Sequence, residues 1–248
     1  MSQEQYEENA MEKLIERLMA HRYWGLLRLE KSGNFFIRDV TQGSEFRKNQ
    51  GLSFVMMGFY PLSYSILLAF RQIEMLAPSK DVRNKAHFFV EVEEGKLAAS
   101  DWYRNVTHSE LYRRMFSSLA SAELAVDEQM LNQYLSALNL KQGGLARAVV
   151  TAAFIEKTGL AVLNLLHDFV AQWQVFTGQP TSKIDLTYLN EHMLHEGDGS
   201  DDQHVRIIDN LIGECGSLDL QNEARYFGRI TEEWFTHIDQ LVLRTGMF

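Results

Sequence analysis

The sequence predicts an all-α fold, and three observations carry that reading. Only Pro61, Pro78 and Pro180 occur, which leaves long stretches rich in Leu, Ala, Glu and Met that favour helix. Leu220, Ala224, Phe227, Ile230, Trp234, Ile238 and Leu241 recur at three- and four-residue steps, which places them on one helical face. No comparable run of β-alternation is found.

Taken in order, a first helix is expected from about Glu4 to Glu30, with Leu14, Leu18, His21 and Leu26 turned inward and Ser32-Gly33-Asn34 ending it. A second helical stretch spans about Ser44 to Leu76, kinked or split near Pro61. A short helix covers Val82 to Glu94 and stops near Gly95. Thr107-His108-Ser109-Glu110 has the capping-box pattern and starts another. Further helices are expected at Val126–Leu138 and, after a Gly143-Gly144 loop, at Ala146–Val175, which Gly178-Gln-Pro180 breaks. The next runs from Asp185 to His195. The stretch from Glu196 to Asp202 reads as a turn. His204 opens a helix that Gly213 to Gly216 ends, and the periodic helix closes the chain.

The 248 residues, 46% hydrophobic and 11% aromatic, suffice for a sizeable core. No Pro/Gly/Ser-rich linker or internal repeat appears, so a single domain over residues 1–248 is expected. A net charge of -9 argues against a broad nucleic-acid footprint and against an anionic membrane surface. Cys215 is the only cysteine, which excludes an intrachain disulfide and fits a reducing cytoplasm. The acidic, polar start is unlike a signal peptide. The most apolar window, Leu52 to Phe70, contains Ser53, Ser63, Ser65 and Pro61. It reads as a buried helix pair or kinked helix rather than a membrane span.

Glu156 stands inside the apolar stretch Ala146–Val175, and a buried carboxylate is costly unless it is paired or holds a metal. The alternative is a solvated position beside Lys157. His192 and Glu196 are four apart, as are His87 and Glu91, so each pair shares a helix face. His108 falls in a first helical turn, where the dipole favours the neutral imidazole that ligates metals. Mixed Glu/His sets suit iron or manganese, with zinc also compatible, and bundles build such sites from inward side chains on facing helices. Glu93 and Glu94 read as solvated charges at a helix end, and His195 as a loop or supporting residue. His87 and His167 read as ordinary core or surface histidines.

Other chemistries are weaker. There is no GxGxxG, phosphate-binding loop, GxSxG or HExxH. The absence of Glu-x-x-His counts against a ferritin-like di-iron bundle. Cys215, in Gly213-Glu-Cys-Gly216, has nothing local to activate it.

Four segments, taken in order, resemble the heme-oxygenase-like metal oxidases, a group that includes the CADD-like proteins and is related in fold to TenA and the pyrroloquinoline-quinone synthase. Phe59-Tyr-Pro-Leu-Ser-Tyr-Ser-Ile-Leu-Leu resembles the family's aromatic-Pro second helix. Glu93-Glu94-Gly95 and His108-Ser-Glu-Leu-Tyr-Arg-Arg resemble its acidic-Gly turn and the helix after it. Ala152-Ala-Phe-Ile-Glu156 resembles its mid-chain Glu helix. Tyr188-Leu-Asn-Glu-His192, Glu196 and His204 resemble its Tyr-x-x-x-His-x-x-x-Asp-x-x-His helix.

The resemblance implies a seven-helix up-and-down bundle and a non-heme iron site, often dinuclear, that activates dioxygen. Carried over by position, its ligands are Glu91, His108, Glu156, His192, Glu196 and His204. Two positions depart from the pattern. His204 lies eight residues beyond Glu196 rather than three, so Asp201 is an alternative acid. Glu94 and Asp101 compete with Glu91, which is favoured because Phe88 and Val92 suggest an inward face. Tyr23 is the candidate redox-active catalytic residue. The implied function is oxidation of a small organic substrate, amino-acid-like or fatty-acyl. A homodimer is the default expectation, since closed symmetric oligomers are common.

Two other readings use the same fold: a TenA-like or cofactor-independent enzyme, for which Cys215 is badly placed, and a non-catalytic binding protein. A true heme oxygenase would need His21 as its proximal ligand, and the Gly-rich distal segment is missing.

Overall fold

Burial of one apolar stripe per helix organises the chain. The computed structural model describes residues 3–28, 35–98, 101–196, 208–213 and 219–246, and no strand occurs among them. The helices are α1 (Gln3–Met19), α2 (Phe35–Gln42), α3 (Glu45–Leu76), α4 (Lys80–Glu93), α5 (His108–Ala120), α6 (Glu128–Leu138), α7 (Leu140–Thr177), α8 (Thr187–Glu196), α9 (described over 208–213) and α10 (Leu220–Arg244). The protein is all-α. The long helices α3 and α7 form the centre, where α3 packs along α7 and also carries α4 and α5. Helix α10 closes over α1, α3 and α7, and α8 lies on α5 and α7.

Several local expectations hold, each for a visible reason. Thr107 caps α5 by accepting a hydrogen bond from Glu110 N at 3.2 Å. Helix α4 stops where Gly95 takes φ 69°, and α7 stops where Gly178 takes φ 68°. Leu220, Ala224, Phe227, Ile230, Trp234 and Ile238 are buried along α10, and Leu241 is partly buried.

Three expectations are corrected or narrowed. The first helix ends at Met19 rather than near Glu30. His21 Nδ1 there accepts from Tyr23 N at 3.1 Å and starts a 3₁₀ turn, Arg22–Leu26, that buries Tyr23 and Trp24. Of the two alternatives at Pro61, kink or split, the split is excluded, because α3 runs unbroken through it. Beside the rung that Pro61 cannot supply, Trp234 Nε1 donates to Gly58 O at 3.0 Å. The Gly143-Gly144 break is narrower than a loop: only Gly144, at φ 62° and ψ -146°, leaves helical geometry.

Helices α3 and α7 are long and apolar enough to cross a membrane, and most of each apolar window is buried against other helices. Asp201, His204 and Cys215, with the turn and helix start expected around them, lie outside the described residues.

Candidate functional site

The site begins with the buried stripe of α4. Val82, Ala86, Phe89 and Val90 face the core, and Phe89 stacks on Phe70 of α3 with ring centroids 4.4 Å apart. Glu93 continues that stripe, three residues after Val90 and four after Phe89, and is 7% exposed. The chain then folds back on itself. Asn105 N donates to Gly95 O at 3.0 Å, and a Cβ at Gly95 would stand 2.2 Å from Val106 O. This turn returns the chain so that His108, first residue of α5, meets Glu93, with Nδ1 3.3 Å from Oε1. The alignment is too poor for a hydrogen bond, and Nδ1 is buried without another partner.

Helix α8 supplies the opposite wall. The His192 ring lies 4.8 Å from that of His108. His192 Nδ1 donates to Tyr188 O at 2.7 Å, which fixes the tautomer and leaves the lone pair on Nε2. Beside it Glu191, 6% exposed, accepts a hydrogen bond from the Tyr103 hydroxyl. Burial disfavours a charged His108, but the carboxylates of Glu93, Glu156 and Glu191 outweigh it and raise its pKa. The charge of Glu156, from the middle of α7, reaches His108.

Two imidazoles and the carboxylates of Glu93 and Glu191 thus lie near one another on α4, α5 and α8, within reach of the charge of Glu156 on α7. Such donors are of the kind that suits iron or manganese, and the His108 ring nitrogen is buried without an aligned partner. As placed, no group of three or more His, Cys, Asp or Glu side chains among the described residues is arranged to hold a metal ion.

Not every expected residue joins this centre. Glu91 turns to the outer face, where its Oε1 lies 3.7 Å from Nε2 of the exposed His87. Glu93 takes the inward place that was expected of Glu91, so Glu93 is not a solvated charge. Glu94 pairs instead with Arg71 and Lys96, and Asp101 is exposed beside Arg104. The side chain of Glu196, and His204 altogether, lie outside the described residues.

Tyr23 is fully buried. It stacks on Phe235 at 4.6 Å, and its hydroxyl donates to Val55 O at 2.9 Å. Burial pushes that hydroxyl's pKa far above the usual tyrosine value. Tyr112 is its neighbour toward the site. Tyr112 meets Tyr188 at 5.3 Å, and Tyr188 meets His192 at 4.5 Å, so two rings separate Tyr23 from the imidazoles. His21 has both ring nitrogens engaged, Nδ1 with Tyr23 N and Nε2 with Thr236 Oγ1 at 3.3 Å. Neither is presented for heme.

Sequence reasoning missed Glu93 and Glu191. The signal for Glu93 was the stripe Val82, Ala86, Phe89, Val90 read forward by one more step. The signal for Glu191 was its place three residues after the buried Tyr188.

A cavity of about 160 Å³ opens onto this centre. Phe88, Val92, Leu97, Val106 and Leu111 form its apolar wall, and Tyr103, His108 and Glu191 supply its polar groups. Phe88 and Leu97 are exposed at its mouth. Compared with models of known protein families, with characterised proteins and with solved structures, the chain matches none.

Proposed function

We propose that the chain is a dioxygen-activating non-heme iron oxidase or oxygenase, built as a seven-helix heme-oxygenase-like bundle and acting on a small organic substrate. The observation that supports this most is the proximity of Glu93, His108, Glu191 and His192 beside an apolar cavity, with the charge of Glu156 reaching His108. These residues would hold the metal, with Glu196 and His204 as the further ligands expected from the sequence. Manganese suits the same donors. Iron, when bound, supplies the one-electron chemistry with dioxygen that no side chain can perform.

The rest falls to the chain's own residues. The Tyr188 carbonyl holds the His192 ring so that Nε2 carries the lone pair. The Tyr103 hydroxyl fixes the orientation of Glu191. Glu93 sets its carboxylate against the His108 ring, Oε1 3.3 Å from Nδ1. Phe88, Val92 and Leu111 would offer the substrate an apolar wall. A cytoplasmic homodimer belongs to the same reading.

The test is the iron content of protein purified from iron-supplemented cells. We expect about two irons per chain, the number of a dinuclear site, and a sharp loss in His108→Ala and His192→Ala variants whose circular dichroism is unchanged. Full iron in both variants removes the proposal. Dioxygen uptake on adding ferrous iron then separates an oxidase from a metal-binding protein.

A further inference from the structure

The cavity beside α4 and α5 has a definite size and a braced wall. At about 160 Å³ it is close to an apolar protein cavity known to admit benzene. Most of the wall is apolar: Phe88 and Val92 come from α4, Leu97 and Val106 from the turn that follows, and Leu111 from α5. His108 and Glu191 also line it, so it adjoins the centre described above.

The wall does not widen freely. The turn from α4 to α5 is stitched by three backbone hydrogen bonds: Lys96 N to Glu91 O at 2.9 Å, Asn105 N to Gly95 O at 3.0 Å and Val106 N to Tyr103 O at 3.0 Å. Leu111 is buried within the main core. Close-packed walls of this kind resist an oversized guest, because side chains and backbone must shift to admit it. Val92 differs from Leu111 in being only half-buried, so its bulk can be changed without opening the core.

We propose that the cavity seats the apolar body of the substrate, that this body is no larger than one six-membered ring, and that Val92 sets the limit. This rests on reading the adjoining His108–Glu191 cluster as the functional centre, and it adds the bulk of the substrate to that reading. Of the two substrate classes considered from the sequence, it sets aside the fatty-acyl one. A long unbranched chain does not fit inside and would run out past the exposed Phe88 and Leu97.

The experiment is equilibrium dialysis of the full chain against benzene and naphthalene, each below its solubility. Both probes are neutral and carry no atom that ligates a metal, so neither the charge of the centre nor a metal in it decides the comparison. Transfer out of water alone favours naphthalene, which has more apolar surface. A preference for benzene therefore reports the wall. Benzene should bind about tenfold or more tightly than naphthalene. Val92→Ala should reduce that preference by about tenfold. Val92→Trp, which fills the cavity, should abolish benzene binding.

Naphthalene binding as tightly as benzene overturns the inference, as does absence of benzene binding. Benzene binding retained in Val92→Trp overturns it too, because the guest is then elsewhere. An unchanged preference in Val92→Ala removes Val92 as the limit and the inference with it. If Val92→Trp fails to fold, the two probes on the unmodified chain and on Val92→Ala still decide. Iron uptake without benzene binding sinks this inference alone. Benzene binding by a chain that takes up no iron sinks the oxidase reading alone.

Discussion

Gly58→Ala is the sharpest test of how the centre of the bundle is packed. A Cβ at this position would stand 2.0 Å from Tyr23 Cε2, 2.3 Å from Cζ and 2.5 Å from the hydroxyl oxygen. The far end of an exposed tyrosine could swing away, but this ring is held on every side. It stacks on Phe235, meets Trp24 edge-on at 4.9 Å, and its hydroxyl is tied to Val55 O. Forcing it aside costs about 1–3 kcal/mol in overpacking and about 1 kcal/mol for the buried hydrogen bond. Ala in a helix interior returns about 1 kcal/mol over Gly. The clash wins, and the net loss is about 2 kcal/mol. For a chain of this size that lowers Tm by roughly 4–8 °C. Urea denaturation and a thermal scan measure it. Adding Tyr23→Leu removes the colliding atoms, so the double variant should be more stable than the two single losses summed. A Gly58→Ala protein within about 0.5 kcal/mol of the parent, or strictly additive losses, would refute the packing argument.

Two further outcomes concern buried charge. Arg147 bridges α7 and α10: its Nε lies 2.6 Å from Glu223 Oε2, its Nη1 donates to Leu138 O and Asn139 O at 3.0 Å, and the guanidinium lies 3.7 Å from the Tyr226 ring centroid. Arg147→Met should cost about 3 kcal/mol in urea denaturation, because it strands these acceptors; a loss below about 1 kcal/mol would show the bridge to be incidental. Asp239 is buried, with Oδ1 unpartnered and Oδ2 3.9 Å from His21 Nδ1. Burial raises its pKa, and His21 and Arg22 offset this only in part. A raised folded pKa means that the favourable contribution is complete below the unfolded value and is lost as pH rises through the folded one. Asp239→Asn should therefore stabilise the protein at pH 7, with the gain fading as pH falls through the raised folded pKa and gone below about 3.9, the ordinary Asp value. Equal gains at both pH values would contradict that assignment.

The helical class and most helix ends were legible because they depend on local chemistry. The Thr107 cap, the positive-φ stops at Gly95 and Gly178 and the stripe of α10 need no tertiary context. The first helix was overextended because the imidazole that ends it acts from its own side chain, a bond that composition does not register. The acid before the Gly turn was misread for a different reason. Phe88 was taken as a marker of the inward face of α4, but it is an exposed residue at the mouth of the cavity. The true inward marker is Phe89, held by Phe70 from a helix thirteen or more residues away in sequence. His108 and His192 were found because their helix positions singled them out. That Glu191 joins them depends on Tyr103, and no local pattern links those two residues.

The contact from Trp234 to Gly58 has a consequence for how the chain is made. Helix α3 carries a gap in its ladder at Pro61, and the donor beside that gap comes from a residue 176 positions later. Phe235, the platform under Tyr23, comes from the same late helix. A nascent chain from which α10 has not yet emerged therefore lacks both the donor beside that gap and the platform under Tyr23, and these two contacts can form only after Trp234 and Phe235 are free of the ribosome.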